Sequence, residues 1–322
     1  MKAIIYTQYG PPEVARITEI DKTVPKNNEV LIRVYATTVN RTDCGFRSAE
    51  YFIVRFWSGL IKPKNQTLGS EFAGEIEAIG KDVKQFSPGD RVFGYIDTTF
   101  GAHAEYMVMA ENEAITTIPD GLTYQESAPI IEGAHYALCN IRAAKLKTGQ
   151  NILINGATGG IGSAAVQIAK HLGAEVTAVC HTNHLKLVKS LGADVVIDHT
   201  KENFTKLNKK FDVVFDAVGK SSFGKCKPLL KERGIYMSTE LGYMLQNPFL
   251  ALITPLLGGK KLLFPIPSIT KEDANYLKDM VESGSFKPLI DRSYNLEQIV
   301  EAYRYVETGQ KIGNVVIIVR AD

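Results

Sequence analysis

Short apolar runs alternate with helically spaced apolar positions through the middle of the chain. Residues 152–154 form a continuous apolar run, which is typical of a strand covered on both faces. A glycine-rich turn follows, then apolar residues at helical spacing over 161–169 and a second apolar run at 176–180. The same order repeats as far as residue 238. This rhythm predicts βαβ units in a parallel sheet with right-handed crossovers.

The first 120 residues show a different pattern, in which turn residues such as Pro88, Gly89 and Asp90 separate short apolar runs. Strands are expected at 30–36, 74–79, 91–95 and 100–109, a helix at 124–143, and a sixth strand of the parallel sheet at 262–265. The tail is expected to form two helices and a closing strand without strict strand–helix alternation. We therefore predict a β-rich domain built from 1–122 and 286–322, and a parallel-sheet domain at 123–285.

The turn between the strand at 152–154 and the next helix carries the first chemical signal. Gly159 lets the backbone approach a pyrophosphate, and Gly162 lets the helix pack closely on the strand. Free amides and the positive dipole at the helix start then face the phosphates, which predicts a dinucleotide site. Cofactor contacts are expected from Gly156, Thr158, Gly159, Gly160, Ile161 and Gly162, and at the carboxyl edge of the sheet from Val218, Gly219 and Thr239.

The residues after the second strand bear on which cofactor binds. NAD sites usually place an acidic residue there to bind the ribose hydroxyl, whereas residues 181–186 contain none. A carboxylate would repel a 2′-phosphate, while His181, Thr182 and Lys186 offer hydrogen-bond donors to it. NADPH is therefore favoured over NADH. The alternative is that these three are solvated loop and helix residues.

Composition narrows the class of protein further. With 322 residues the chain is long for a single core, and its formal net charge of +2 argues against nucleic acid or an anionic membrane as the main partner. The apolar stretch 249–257 is too short to span a bilayer. Four dispersed cysteines indicate neither a disulfide framework nor structural zinc, and the first residues show no signal or transit pattern. We expect a cytoplasmic protein that acts on a small molecule.

Several motifs in the sequence resemble those of a known protein superfamily. Residues 69–80 (GSEFAGEIEAIG), 86–94 (FSPGDRVFG) and 101–106 (GAHAEY), followed by 191–194 (LGAD) and 215–219 (FDAVG), resemble the medium-chain dehydrogenase/reductase superfamily. The resemblance covers nearly the whole chain in the family's order. It implies an α/β fold with a GroES-like β-rich catalytic domain and a Rossmann domain with a doubly wound parallel sheet.

The branch of the superfamily follows from the expected zinc ligands. Zinc alcohol dehydrogenases carry Cys where Asn40 stands and His where Ser70 stands, and they commonly add a four-cysteine lobe that is missing here. Asn and Ser are poor zinc ligands, and Glu132 and His135 alone do not complete a site. We predict no metal. The resemblance is therefore to the zinc-free quinone oxidoreductase branch, which reduces quinones and α,β-unsaturated carbonyls with NADPH.

Catalysis without a metal requires another way to hold the developing negative charge. Conjugate reduction places that charge on a carbonyl oxygen, which a hydroxyl or amide group can stabilise. Tyr51 and Asn40 are the candidate donors, and Asn40 is also expected to touch the cofactor. The alternatives are a loop aromatic packed over the cleft for Tyr51 and a structural amide for Asn40.

His135 stands where relatives often carry a small hydroxyl residue beside the nicotinamide, so the resemblance implies that His135 contacts the cofactor. The alternative is that His135 is a histidine packed within its helix. Gly45 and Asn314 depart from the branch, which often has Tyr and Lys there. Residues 49–64, rich in aromatic side chains, form a candidate lid.

Two other functions stay open, an alkenal or enoyl reductase and a catalytically degenerate NADPH-binding protein. We also expect a homodimer, formed by edge-to-edge pairing of the strand at 262–265 beside the apolar stretch 249–257.

Overall fold

The computed structural model describes residues 1–50 and 52–321, without the side chain of Ile53. Packing divides the chain into unit 1 (Met1–Glu132, Ile269–Glu282 and Pro288–Asp322) and unit 2 (Gly133–Ser268 and Ser283–Lys287). The sequence-based boundaries at 123 and 285 differ from this division in three segments, one of which, residues 286–287, packs with unit 2. Residues 123–132 and the helix within Ile269–Glu282 pack with unit 1.

The strands of the described residues are β1 (Lys2–Ile5), β2 (Arg16–Glu19), β3 (Glu29–Val39), β4 (Glu71–Ile79), β5 (Arg91–Tyr95), β6 (Tyr106–Ala110), β7 (Ile115–Thr117), β8 (Asn151–Asn155), β9 (Glu175–Cys180), β10 (Val195–Asp198), β11 (Phe211–Asp216), β12 (Leu230–Ser238), β13 (Lys261–Leu263), β14 (Ile290–Asn295) and β15 (Asn314–Ile318). The α-helices are α1 (Arg41–Ser48), α2 (Arg55–Ser58), α3 (Tyr124–Ser127), α4 (Glu132–Ala144), α5 (Gly160–His171), α6 (Leu185–Ser190), α7 (Phe223–Cys226), α8 (Gln246–Ile253), α9 (Lys271–Glu282) and α10 (Ile299–Glu307).

Unit 2 is built on a parallel sheet of six strands in the order β10-β9-β8-β11-β12-β13. The sequence order of these strands, 3-2-1-4-5-6, is that of a Rossmann sheet with its crevice at the switch point between β8 and β11. Leu153, Val179, Val214 and Tyr236 from successive strands are buried in one cluster, which explains why the strands are continuous apolar runs. The predicted Rossmann architecture is confirmed, and the expected sixth strand is β13.

Unit 1 contains a sheet of seven strands in the order β14-β15-β3-β4-β5-β7, with β6 also pairing with β3, and a separate β1–β2 pair. The long strand β3 pairs antiparallel with β4, β6 and β15. The C-terminal tail therefore supplies two strands, β14 and β15, to this sheet. Buried Ile32, Phe72, Ile76 and Val92 form the core beneath this sheet. The predicted combination of a β-rich domain and a Rossmann sheet is present in the structure.

Three predicted elements differ from the structure. The helix expected at 124–143 is two helices, α3 and α4, because Pro129 lacks an N–H and adopts a non-helical conformation between them. The strand expected at 100–109 begins only at Tyr106, since Phe100 and Gly101 both have positive φ. Helix α9 packs on unit 1, where the Lys278 ammonium donates to the Thr117 hydroxyl at 2.6 Å.

No helix in the described part of the chain combines the length and apolarity needed to cross a membrane.

Candidate functional site

The glycine turn of unit 2 joins β8 to α5 with no room for side chains at two positions. Gly156 has a φ of 82°, and a Cβ atom there would lie 2.3 Å from the Val218 side chain. A Cβ atom on Gly162 would lie 2.1 Å from the Gly156 carbonyl oxygen. These contacts give the two glycines a steric role and bring Val218 to the turn, while a contact of Val218 with the cofactor stays a prediction.

The start of α5 keeps its amides available for a ligand. Gly159 precedes the helix, and no side chain caps it. The first amides of a helix have no acceptor within it, so those of Gly160, Ile161 and Gly162 are open to an anion. A Cβ atom on Gly159 would lie 3.8 Å from the Gly156 carbonyl oxygen, an ordinary contact distance, so this position has room for a methyl group. This arrangement suits a pyrophosphate at the position that the sequence predicted.

A buried carboxylate that the sequence analysis missed ties together the carboxyl ends of three strands. Asp216, at the end of β11, accepts hydrogen bonds from the Asn155 amide at 2.9 Å, from the Ser221 N–H at 2.7 Å and from the Tyr236 hydroxyl at 3.3 Å. In the sheet register Asp216 is aligned with Asn155 on β8 and Ser238 on β12. Each of these apolar strands ends in a polar residue. This pattern in the sequence could have revealed the network. Val218, Gly219 and Thr239 follow directly after these strand ends.

The edge after β9 contains an acidic residue from the next strand. The Thr182 hydroxyl donates to Asp198 Oδ2, and the Thr200 hydroxyl donates to Asp198 Oδ1 at 2.7 Å. These two hydroxyl donors hold the pKa of Asp198 well below its usual range. The only hydroxyl proton of Thr182 is therefore directed at a carboxylate. The sequence analysis missed Asp198 because it reaches Thr182 through strand pairing.

The other residues predicted to select the cofactor lie in two places. His181 is exposed, and its Nδ1 accepts the Asn183 N–H at 3.2 Å. Lys186 is exposed on α6 and lines a surface cavity with Ser190 and the residues that begin β10. His181 and Thr182 are thus together at the carboxyl edge of the sheet, whereas Lys186 also borders the opposite end of β10.

His135 is buried in α4, and its ring centroid lies 4.4 Å from that of Tyr136. This contact agrees with a packed histidine, and a role beside the nicotinamide stays a prediction.

In unit 1, Asn40 is held by the start of α1. Its side-chain oxygen accepts the Asp43 N–H at 2.9 Å, while Asp43 Oδ2 accepts the Asn40 N–H at 3.1 Å. The Asn40 Nδ2 donates to the Ser70 Oγ at 2.9 Å. This reciprocal pairing is a capping box, so Asn40 has the structural role that we weighed as an alternative. Among the described residues, the second hydrogen of this amide has no acceptor.

Asp43 and Arg47, on the same helix, are buried and serve the fold. Asp43 Oδ1 accepts the Gly69 N–H at 3.1 Å. Burial raises the pKa of Asp43 to about 7, against the opposing effect of the backbone donors. Arg47 donates to the Gly10 carbonyl and to Glu307, and its guanidinium lies 4.9 Å from the Tyr303 ring centroid.

Two buried glutamates lie next to this helix. Glu71 accepts from the Thr38 hydroxyl at 2.8 Å and from the Ile131 N–H at 3.0 Å, while Glu132 accepts from the Thr42 hydroxyl at 3.2 Å. Burial raises the pKa of Glu71 to about 8 and that of Glu132 to about 7. The positive charge of half-buried Lys311 acts in the opposite direction on Glu132.

The side chains in the place of zinc ligands do not suit a metal ion. Asn40 and Ser70 are neutral and hydrogen-bonded to each other. Across residues 1–50 and 52–321, no three or more His, Cys, Asp or Glu side chains form a group fit to hold a metal.

The proposed lid is described only in part. Tyr51 lies outside the described residues, so its catalytic role stays a prediction. The neighbouring aromatic side chains of Phe52, Phe56 and Trp57 are exposed, and the rings of Phe52 and Phe56 meet edge to face at 5.8 Å. Exposed aromatic rings in this segment are compatible with a surface that receives flat substrates.

Comparison with known proteins places this architecture in a class. Residues 26–120 match the family model described as Alcohol dehydrogenase GroES-like domain, and 191–317 match the one described as Zinc-binding dehydrogenase. The 2-methylene-furan-3-one reductase of Solanum lycopersicum is 33% identical, with 98% of this chain and 79% of the relative covered. The quinone oxidoreductase of Homo sapiens is 32% identical, with coverage of 96% and 94%. The solved quinone oxidoreductase of Coxiella burnetii is 27% identical, covers 99% of both chains and superposes with a TM-score of 0.89.

A GroES-like sheet and a Rossmann sheet in one chain define a dehydrogenase or reductase that uses a nicotinamide cofactor. The chain belongs to the medium-chain dehydrogenase/reductase superfamily, within its quinone oxidoreductase branch.

Proposed function

We propose that this protein is an NADPH-dependent, zinc-independent oxidoreductase that transfers hydride to quinones or α,β-unsaturated carbonyls. The observation that carries the proposal is the buried hydrogen bond from Asn40 to Ser70. It occupies two positions that would have to bind zinc, in a chain that retains the complete glycine turn of a dinucleotide site. The names of the quinone and methylene-furanone relatives support the substrate class.

The cofactor supplies a hydride, and the residues of this chain supply position and charge stabilisation. The amides that begin α5, next to Gly159, would hold the pyrophosphate. The Asp216 network fixes the strand ends that border the cofactor. The remaining Asn40 amide hydrogen and the Tyr51 hydroxyl are the donors proposed for the substrate oxygen. Because no metal shares this task, a conjugated acceptor that spreads its charge is the suitable substrate.

We further propose that NADPH binds at least about ten-fold more tightly than NADH. The support is the absence of an acidic residue at 181–186, together with the hydroxyl donors that engage both carboxylate oxygens of Asp198 on the next strand. Replacing His181 and Lys186 with Ala should weaken NADPH binding and leave NADH binding nearly unchanged. Equal affinity of the wild type for the two cofactors would contradict this part of the proposal.

The decisive experiment measures NADPH oxidation with a panel of quinones and enones after treatment with a chelator. Turnover of either substrate class by protein that contains no stoichiometric zinc on elemental analysis is the expected result. A preference for acyclic enones over quinones would identify an alkenal or enoyl reductase. NADPH binding without oxidation by any acceptor would identify a degenerate cofactor-binding protein, and one tightly held zinc per chain would overturn the zinc-free assignment.

A further inference from the structure

In unit 1, the segment 52–64 turns large apolar side chains towards solvent. Five of them, within ten residues of sequence, are 57–91% exposed: Phe52, Phe56, Trp57, Leu60 and Ile61. Single exposed apolar side chains are common on protein surfaces, whereas a group of them marks contact with another molecule. Ile61, at 91%, has almost no contact with the rest of the protein, so this part of the segment protrudes.

Hydrogen bonds hold the backbone of the segment in place. The Tyr9 hydroxyl donates to the Gly59 carbonyl at 2.6 Å, and the Lys64 N–H donates to the Ser58 carbonyl at 2.7 Å. Gly59 has a φ of 120°, and a Cβ atom there would lie 2.2 Å from the Lys62 carbonyl oxygen, so this tight turn requires glycine. The backbone polar groups at the turn are thus bonded within the protein, while the apolar side chains face outward.

The charged residues of this part of the sequence are all basic. Residues 51–70 contain Arg55, Lys62 and Lys64 and no acidic residue. Lys62 and Lys64 are exposed, and the guanidinium of half-buried Arg55 lies 5.8 Å from the Phe52 ring centroid. The formal net charge of +2 sums the whole chain and hides this local excess of positive charge. The complementary partner surface is therefore negatively charged and able to receive apolar groups.

We propose that residues 52–64 dock unit 1 on the surface of an anionic membrane. Phe56, Trp57 and Ile61 would enter the boundary between headgroups and acyl chains, and the lysines would meet the anionic headgroups. A lipid surface receives protruding side chains without a preformed pocket, which a protein partner would have to provide. Docking goes beyond the proposed function, and it would place the protein where apolar quinones and enones accumulate.

The test measures binding of the full chain to vesicles of phosphatidylcholine alone and of phosphatidylcholine mixed with phosphatidylglycerol, by flotation and by tryptophan emission. Trp57 is the only tryptophan of the chain and is 67% exposed, so its emission reports on this segment. Mixed vesicles should bind the protein and shift the emission to shorter wavelength, whereas neutral vesicles should bind it at least about ten-fold more weakly. Added salt should weaken binding to the mixed vesicles.

Two double variants distinguish the apolar contribution from that of charge. Phe56→Ser/Ile61→Ser keeps Trp57 as the reporter and should weaken binding to mixed vesicles at least about ten-fold. Lys62→Gln/Lys64→Gln should lower the preference for mixed over neutral vesicles by about ten-fold.

The matched controls remove equivalent side chains from other surfaces. Val24→Ser/Ile266→Ser removes two apolar side chains that are 82% and 85% exposed, and Lys147→Gln/Lys206→Gln removes two exposed lysines. Neither control should change vesicle binding by more than about two-fold. Thermal unfolding verifies that each variant is folded.

A wild type that does not bind mixed vesicles overturns the inference, and so does equal binding by the wild type and Phe56→Ser/Ile61→Ser. If the wild type does not bind vesicles and Phe56→Ser/Ile61→Ser lowers the mass measured by light scattering, a second copy of the chain covers the segment and the inference is wrong. Each of these results leaves the proposed function intact, because the assay contains neither cofactor nor substrate.

Discussion

At the scale of single residues, His103 shows how burial fixes a protonation state. Its side chain is fully buried, with Nε2 donating to the Thr38 carbonyl at 2.8 Å and Nδ1 3.3 Å from the Tyr303 hydroxyl. Both ring nitrogens are satisfied when the ring is neutral. Burial accordingly lowers the pKa of His103 to about 4.

This lowered pKa makes a prediction about acid stability. Between pH 6.5 and pH 4 the unfolded chain binds a proton at His103 that the folded chain does not, so the contribution of His103 to stability decreases as the pH falls. The wild type should lose about 2–3 kcal/mol relative to His103→Gln between pH 7 and pH 4.5, measured by urea unfolding. His171→Gln is the control. A wild-type advantage over His103→Gln that is constant across this range would argue against a buried neutral ring.

Tyr51 is the second residue for which the sequence makes a sharp prediction. Tyr51→Phe keeps the ring and removes the hydroxyl, which would cost up to a few kcal/mol in the transition state if this group stabilises the substrate oxygen. The enone rate should fall strongly while NADPH affinity is unchanged. Quinones should be affected less, because their reduced form is aromatic. Tyr243→Phe, at an exposed position of unit 2, is the control. An unchanged enone rate would leave water as the proton source.

The sequence predicted those site residues whose partners are close along the chain. The glycine turn and the start of α1 are such cases, because a turn or a cap depends on neighbours within a few positions. Asp198 could not be connected with Thr182 in this way, since 16 residues separate them and only the pairing of β9 with β10 brings them together. The buried environment of Glu71 and Glu132 depends likewise on packing between distant segments.

At the scale of elements, the glycines at the junction of β8 and α5 allow a steric role to be distinguished from a role in cofactor binding. Gly162→Ala places a Cβ atom 2.1 Å from the Gly156 carbonyl oxygen, so both stability and cofactor affinity should fall. Gly159→Ala meets nothing closer than 3.8 Å, so stability should hold while the methyl group intrudes on the pyrophosphate and weakens NADPH binding. Thermal unfolding and cofactor titration measure the two effects.

Gly224→Ala, where an added Cβ atom meets nothing within 4 Å, should change neither property. Unaltered NADPH affinity in Gly159→Ala would mean that the pyrophosphate does not approach this turn.

The alternation of strands and helices in unit 2 was predictable because parallel strands are apolar on both faces. This alternation could not show that helix α9 belongs to unit 1. Its partners on unit 1, such as Gln85 and Glu111 for Lys271, are more than 150 residues away in sequence. Pro129 was itself a local indication that the helix is interrupted. Because apolar residues continue at helical spacing on both sides of it, the sequence nevertheless predicted one helix.

At the scale of the whole molecule, the exposed apolar surface beside β13 predicts a homodimer. Phe249, Leu252, Leu256 and Leu257 are 63–85% exposed, and within the described residues β13 pairs only with β12. An open strand edge and uncovered apolar side chains together favour association with a second copy. We expect light scattering at micromolar concentration to give the mass of a dimer.

Leu252→Glu/Leu256→Glu should shift the protein towards the monomer because it places charges in the apolar surface. Val24→Glu, at an exposed position of unit 1, is the control. A wild type that is monomeric at this concentration would contradict the prediction.

The pairing of β15 with β3 also affects the order in which the chain is built during translation. The half of β3 that ends at Val39 has one edge covered by residues 315–318, close to the C-terminus. Buried Arg47 likewise has its partner Glu307 260 positions later. All six strands of unit 2, by contrast, lie within residues 151–263 and can pair before this tail emerges from the ribosome. The nascent chain therefore carries an unfinished first sheet, with an exposed strand edge, for most of its synthesis, and this is the period in which a chaperone has a surface to protect.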